Sequence, residues 1–318
     1  MSEISQLLGN LQVISIASPN LKLRRKNRIK TIKSSLAIEG NTLGEEQITE
    51  ILENKRVIGT KKEILEVQNA LALYEEMEKL KGDSQADFLK AHLTLMKNLV
   101  KTAGAFRKTN VGVLLGTKVK HLAPGPKLIP ELMENLFKWI KKEKELHPLI
   151  LSSIVHYEIE FIHPFEDGNG RMGRFWQSLI LSKYSDIFRF VPVESLIEKK
   201  QKTYYEVLES CDKNGDSTDF IEFMLPLIKK SLEDYSSDLG GVVISSKDRL
   251  NHAKRHFEKK MFSRKEYLGL FQSISMATAS RDLKEGVDLS ILAKRGEKNQ
   301  TKYYFNQKPS IKIEKIKD

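Results

Sequence analysis

The chain has 318 residues, 40% of them hydrophobic and 30% charged, a balance that supports a packed core, excludes global disorder and predicts about two domains. No apolar run approaches the roughly 20 residues of a membrane span, Met1–Asn10 is too polar for a signal peptide, and the single Cys211 excludes an internal disulfide, so a reducing, cytoplasmic setting is expected. The net charge of +11 is uneven: residues 241–318 hold 18 Lys/Arg against 9 Asp/Glu, which suits a nucleic-acid partner there but also fits a lysine-heavy composition of 40 Lys to 13 Arg.

The predicted elements are mostly helical. Leu21–Ile38 is a basic amphipathic helix stopped by Gly40-Asn41. Glu45–Asn54, Lys61–Leu80 and Phe88–Leu99 follow as helices, with Leu89, Leu93, Met96 and Leu99 apolar in the last. Seven Gly and Pro residues then fall within 104–130, where Val111–Leu115 and Lys118–His121 can form a short hairpin. Helices resume at Glu131–Lys142 and Pro148–Phe161. A loop, His163–Gly170, leads into a helix over Arg171–Lys183, and Ile197–Ser210 and Ser217–Tyr235 are helical as well. The Gly240-Gly241 pair coincides with the charge shift and marks a domain boundary. Beyond it, helices at Ser246–Lys260, Ser263–Phe271 and Ile274–Lys284 precede two strands, Leu289–Ala293 and Thr301–Phe305, around a polar turn. That is the outline of a winged helix.

The chemistry concentrates in His163-Pro164-Phe165-Glu166-Asp167-Gly168-Asn169-Gly170-Arg171-Met172-Gly173-Arg174. Gly168 and Gly170 lie where a loop becomes a helix, so backbone N–H groups and the helix dipole can face an anion. Arg171 and Arg174, three apart, can share a helix face and a bidentate phosphate contact. Asp167 is an oxygen ligand suited to Mg²⁺, and His163 can accept a proton from a hydroxyl. Together these residues describe a triphosphate cradle with a metal and a base.

This segment resembles the active-site motif of Fic (Fic/Doc, Fido) domain proteins, H-x-F-x-[D/E]-G-N-G-R-x-x-R, at every fixed position. Ala103–Arg107 is similar to the family's G-x-[F/Y]-R segment, and the likeness runs over about 21–227. The resemblance implies transfer of AMP from ATP, with Mg²⁺, to a Tyr, Ser or Thr hydroxyl of a protein substrate. His163 would then be the base and Asp167 the metal ligand. Gly168, Asn169, Gly170, Arg171, Gly173 and Arg174 would hold the phosphates, and Tyr204 and Tyr205 would face the adenine. The hairpin residues Lys118, Val119, Lys120 and His121 would form a flap that receives the target as an added strand. Ser35-Leu36-Ala37-Ile38-Glu39-Gly40 resembles the family's inhibitory motif, in which Ser35 and Glu39 would act against Arg174.

The resulting expectation is a mainly α protein. A helical region with the inhibitory helix covers 1–85, a Fic catalytic domain with a short hairpin flap covers 86–240, and a winged-helix domain covers 241–318. Thr278, Arg281 and Lys284 on the third helix of that last domain, with Lys294, Arg295, Lys298 and Lys302 on the wing, suit DNA. Protein contact or a homodimer stays open for this module. So do transfer of UMP or phosphate, removal of AMP, and a DNA-binding regulator whose Fic domain senses a nucleotide. Gly112–Lys118 lacks P-loop spacing, Asp212–Asp216 lacks the closing Glu of a calcium loop, and His156 with His163 has no third zinc ligand.

Overall fold

The computed structural model describes residues 2–17, 20–115, 118–239, 245–258, 260–271, 274–297 and 301–306, with the side chains of 12–17 and 112–122 left aside. The boundary pair Gly240-Gly241 and wing residue Lys298 lie outside the described residues. By contact the chain forms two units, Leu21–Asp238 and Ser2–Asn20 with Leu239–Asp318. Among the described residues no helix is long and apolar enough to cross a membrane.

In chain order the first helix is α1, Ser2–Ala17, which belongs to the second unit. The first unit then runs through α2 (Leu21–Ile38), α3 (Glu45–Leu52), α4 (Lys61–Glu76), α5 (Gln85–Leu95), β1 (Gly112–Leu115), β2 (Lys118–Leu122), α6 (Ile129–Lys142) and α7 (Pro148–Ile162). It closes with α8 (Asn169–Tyr184), α9 (Glu194–Lys199), α10 (Gln201–Asn214) and α11 (Thr218–Asp238). Helix starts follow local chemistry. Thr60 caps α4 in a capping box with Glu63, and Pro148 sits in the first turn of α7, where its missing N–H costs nothing. The single helix expected over Ile197–Ser210 is two helices, because Lys200 leaves helical geometry (φ −113°, ψ 27°) between α9 and α10.

The core of this unit is aromatic around α8. Trp176, Phe165, Phe88 and Phe137 are buried, with Phe88 stacked on Phe165 at 5.3 Å and edge-on to Trp176 at 5.0 Å. Each such ring stabilises the fold by roughly 2–3 kcal/mol through burial. The antiparallel pair β1–β2 has an irregular register between Val113 and Leu114, and β2 lies against α10.

The second unit adds α12 (Ser246–Phe257), β3 (Phe262–Ser263), α13 (Arg264–Leu270), α14 (Met276–Asp288), β4 (Leu292–Arg295) and β5 (Lys302–Phe305), and α1 packs on α12. The strands are antiparallel in the order β3-β5-β4. Their core contains Phe257, Phe262, Tyr267, Leu283 and Phe305. Asp282, buried beneath it, takes a two-pronged contact from Arg249 at 2.6 and 2.8 Å and a third from the Tyr267 hydroxyl at 3.1 Å. A buried carboxylate requires such partners.

Candidate active site

The loop between α7 and α8 is held in shape by its own side chains. Asn169 accepts from Phe165 N and donates to Phe165 O, both at 2.9 Å, so its amide staples the loop to the helix start. Gly168 takes φ +87°, which a side chain disfavours, and a Cβ there would sit 2.8 Å from Met96 Sδ. Gly170 allows a closer approach still, since a Cβ there would collide with Glu39 Oε1. Phe165 anchors the loop from below, stacked face to face on His92 at 3.5 Å.

Arg107 and His92 fix the loop from outside. Arg107 is buried and donates from Nε to His163 O (2.7 Å), from Nη1 to Thr109 O (2.7 Å) and from Nη2 to Pro124 O (2.6 Å), while its own N–H reaches Pro164 O at 2.9 Å. His92 Nδ1 accepts from Gly104 N–H at 2.9 Å, so its proton is on Nε2, which donates to Asp167 O at 3.0 Å. Burial lowers the His92 pKa to about 4. His163 ends α7 in the left-handed region (φ +49°), and its Nδ1 lies 3.3 Å from Glu160 O. A carbonyl only accepts, so Nδ1 carries the proton and Nε2 offers a lone pair.

The two arginines of α8 meet acids from the N-terminal helices. Arg174 is buried, with Nε on Ser35 Oγ (3.2 Å) and Nη2 on both Ser35 O (3.0 Å) and Glu39 Oε1 (2.6 Å). Burial by itself would lower its pKa, but Glu39, Tyr204 and Glu160 outweigh that and raise it. Its Nη1 is buried without a hydrogen-bond partner. Arg171, also buried, pairs with Asp167 Oδ1 at 2.8 Å and Glu66 Oε1 at 3.3 Å. The structure thus brings together His163, Asp167, Gly168, Asn169, Gly170, Arg171 and Arg174 with Ser35 and Glu39, whereas Gly173 packs against His156, whose Cδ2 would lie 2.7 Å from a Cβ there.

The tyrosines divide. Tyr204 is fully buried and its hydroxyl is engaged by Glu160 Oε1 and His156 Nε2, each at 3.0 Å, so it serves the core under the loop and not an open face. Tyr205, half-buried, is pushed up to about 12 by burial and then by the Glu39 carboxylate. Lys118, Val119, Lys120 and His121 lie on β2, where only the backbone is described. Sequence reasoning missed Glu66, His92 and Glu160. Glu66 is an acid among the apolar positions of α4, beside Val67 and Ala70, and that break in pattern is the signal available for it.

The donor set can be tested against Mg²⁺. Asp167 is half-exposed (48%) and takes N–H donors from Gly168 and Arg171 on a single oxygen, Oδ1. Among the described residues no group of three or more ligand side chains stands together. One carboxylate with water and substrate phosphates is the usual Mg²⁺ arrangement, so Asp167 fits the ion as a nucleotide's companion.

The Fic/DOC family model matches residues 83–181. A Fic family protein from Desulfovibrio desulfuricans G20, known from its crystal structure, is 36% identical, with a TM-score of 0.72, over 97% of this chain and 95% of that one. Proteins named protein adenylyltransferase Fic from Drosophila grimshawi and Aedes aegypti are 30% and 28% identical over 71% and 70% of this chain. The chain spans about half the length of these curated relatives, 47% and 45%. Fic-1 from C. elegans, at 22% identity and a TM-score of 0.60, shares the fold.

Proposed function

The chain belongs to the Fic/DOC family, and from that premise we propose that it is a self-inhibited protein adenylyltransferase acting in the cytoplasm. The observation that carries the reading is the Glu39–Arg174 contact at 2.6 Å beside Gly170: a carboxylate of the chain itself occupies the ground a phosphate would need. When Glu39 leaves, Arg174 is released to the nucleotide's phosphates, and as Asp167 turns away Gly168 N–H and Arg171 Nη2 join Gly170 N–H in facing them. Asp167 would hold Mg²⁺, which supplies charge neutralisation between phosphate oxygens.

His163 Nε2 takes the proton of a target Tyr, Ser or Thr hydroxyl as that oxygen bonds to the α-phosphorus. The α–β bridging P–O bond breaks, and pyrophosphate carries the electron pair away. Arg107 holds the His163 carbonyl and so the base's position. The β1–β2 pair is the strand edge on which the target segment would lie.

Incubation with α-labelled ATP and Mg²⁺ tests this. Glu39→Gly is expected to label itself or a lysate protein at least about tenfold above wild type, and His163→Ala placed on it to remove the label, since a positioned base contributes about 10²–10⁴-fold. No label from Glu39→Gly sinks adenylylation, and label that survives His163→Ala sinks the base. Competition among the four nucleoside triphosphates separates AMP transfer from UMP transfer. Recovery of free AMP from a prelabelled target would reveal removal.

A second reading concerns the C-terminal unit. A groove of about 780 Å³ there is edged by Arg264, Lys265, Lys284, Lys294 and Lys302, and Arg281 is exposed on α14. These cations support a duplex DNA contact that adds a partner to the enzyme without entering its chemistry.

A further inference from the structure

We infer that Glu66 is a positioning residue that aims Arg171 at the nucleotide's distal phosphates, with Asn41 as its anchor; this rests on the adenylyltransferase reading above. Three acids form ion pairs with the two motif arginines, and their surroundings differ. Glu39 is 34% exposed and Asp167 48%, so each can change partner when a nucleotide arrives. The Glu66 side chain is only 11% exposed. Its Oε2 accepts from Asn41 Nδ2 at 2.8 Å while Oε1 meets Arg171 Nη1, so both oxygens are committed.

Asn41 is itself locked. It is buried, its Nδ2 also reaches Glu63 O at 3.2 Å, and its Oδ1 accepts from Leu43 N at 3.1 Å. Glu66 therefore cannot leave as a competitor would. Arg171 is gripped at one end of its planar fork by a fixed acid and at the other by a movable one, Asp167. Once a phosphate displaces Asp167 from Nη2, that is the end presented to it, and Glu66 on Nη1 sets its direction. Arg171 Nε is buried with no partner and adds no third restraint. Asn41 stands two residues from Glu39, so the turn that carries the inhibitory acid also carries the anchor for the positioning acid.

Binding measured by calorimetry in EDTA, with ATP and AMP as probes, tests this in full-length Glu39→Gly protein. Adding Glu66→Gln is expected to weaken ATP about tenfold, the size of one charge-assisted hydrogen bond, while AMP, which lacks the distal phosphates, changes less than about twofold. Adding Asn41→Ala instead should weaken ATP in the same selective way but by less. ATP binding that is unchanged or tighter in Glu66→Gln overturns the inference, the tighter result marking Glu66 as a competitor. Equal loss of ATP and AMP in both variants also overturns it, leaving a purely structural role. A Glu39→Gly parent that binds no ATP sinks the nucleotide reading itself, a result distinct from either of these.

Discussion

Two histidines serve the glycine-rich loop under opposite demands. His163 has its Nδ1 on Glu160 O, which leaves the lone pair of the neutral ring on Nε2, while His92 spends both ring nitrogens on Gly104 N and Asp167 O, stacked on the Phe165 ring. Burial keeps His92 neutral, with a pKa near 4 against an unfolded value near 6.5. Because the unfolded chain binds that proton first, the stabilisation is complete above pH 6.5 and drains away as pH falls toward 4. Over the whole window it is on the order of 3 kcal/mol. Thermal unfolding should therefore show His92→Gln several degrees less stable at pH 7.5, with a flatter decline from pH 6.5 to 5 than wild type. Parallel declines would refute that account.

Helix α2 and helix α8 carry the proposed inhibitory contact between them. Ser35 lies in the last turn of α2 and Glu39 in the turn just past its end, and α8 sends Arg174 across to both. Contacts from the later helices keep α2 in place: Gln201 Nε2 donates to Ile38 O at 2.8 Å, and Lys33 pairs with Glu198 at 2.5 Å. Ser35→Ala removes one of the three acceptors around Arg174 and should release the brake in part. Self-labelling is expected to rise about two- to fivefold, well short of Glu39→Gly, because a neutral hydrogen bond contributes only about 1 kcal/mol. Activation equal to that of Glu39→Gly would mean that the serine, and not the carboxylate, holds the guanidinium. The helices were legible from periodicity, and Ser35 with Glu39 from the resemblance to the family's inhibitory motif. The break at Lys200 was not, because nothing local distinguishes it from a helix interior.

The two contact units differ in what they contain. The first holds every residue named for catalysis and inhibition, with an aromatic core of its own, and the second holds the basic groove and its own packed layer. A 21–238 fragment carrying Glu39→Gly should keep self-labelling within about threefold of the full-length variant. Salt-sensitive retention on duplex DNA should be confined to the full chain, with a steep loss between roughly 50 and 200 mM salt. A fragment that folds but does not label, or DNA retention that is indifferent to salt, would contradict this division.

The twelve residues from His163 to Arg174 carried the loop, the helix start and the donor set within one stretch, since their chemistry is local: glycine conformation, helix dipole and i, i+3 spacing act between neighbours. Apart from Ser35 and Glu39 with Arg174, which the family resemblance supplied, partnerships across the chain were invisible by the same logic. Glu66 meets Arg171 over 105 positions, and His92 meets Asp167 over 75. Tyr204, which the family resemblance placed toward adenine, is fully buried with its hydroxyl on His156 and Glu160. Which acid stays and which can move follows from solvent exposure, a property that arises only when separate helices close over one another.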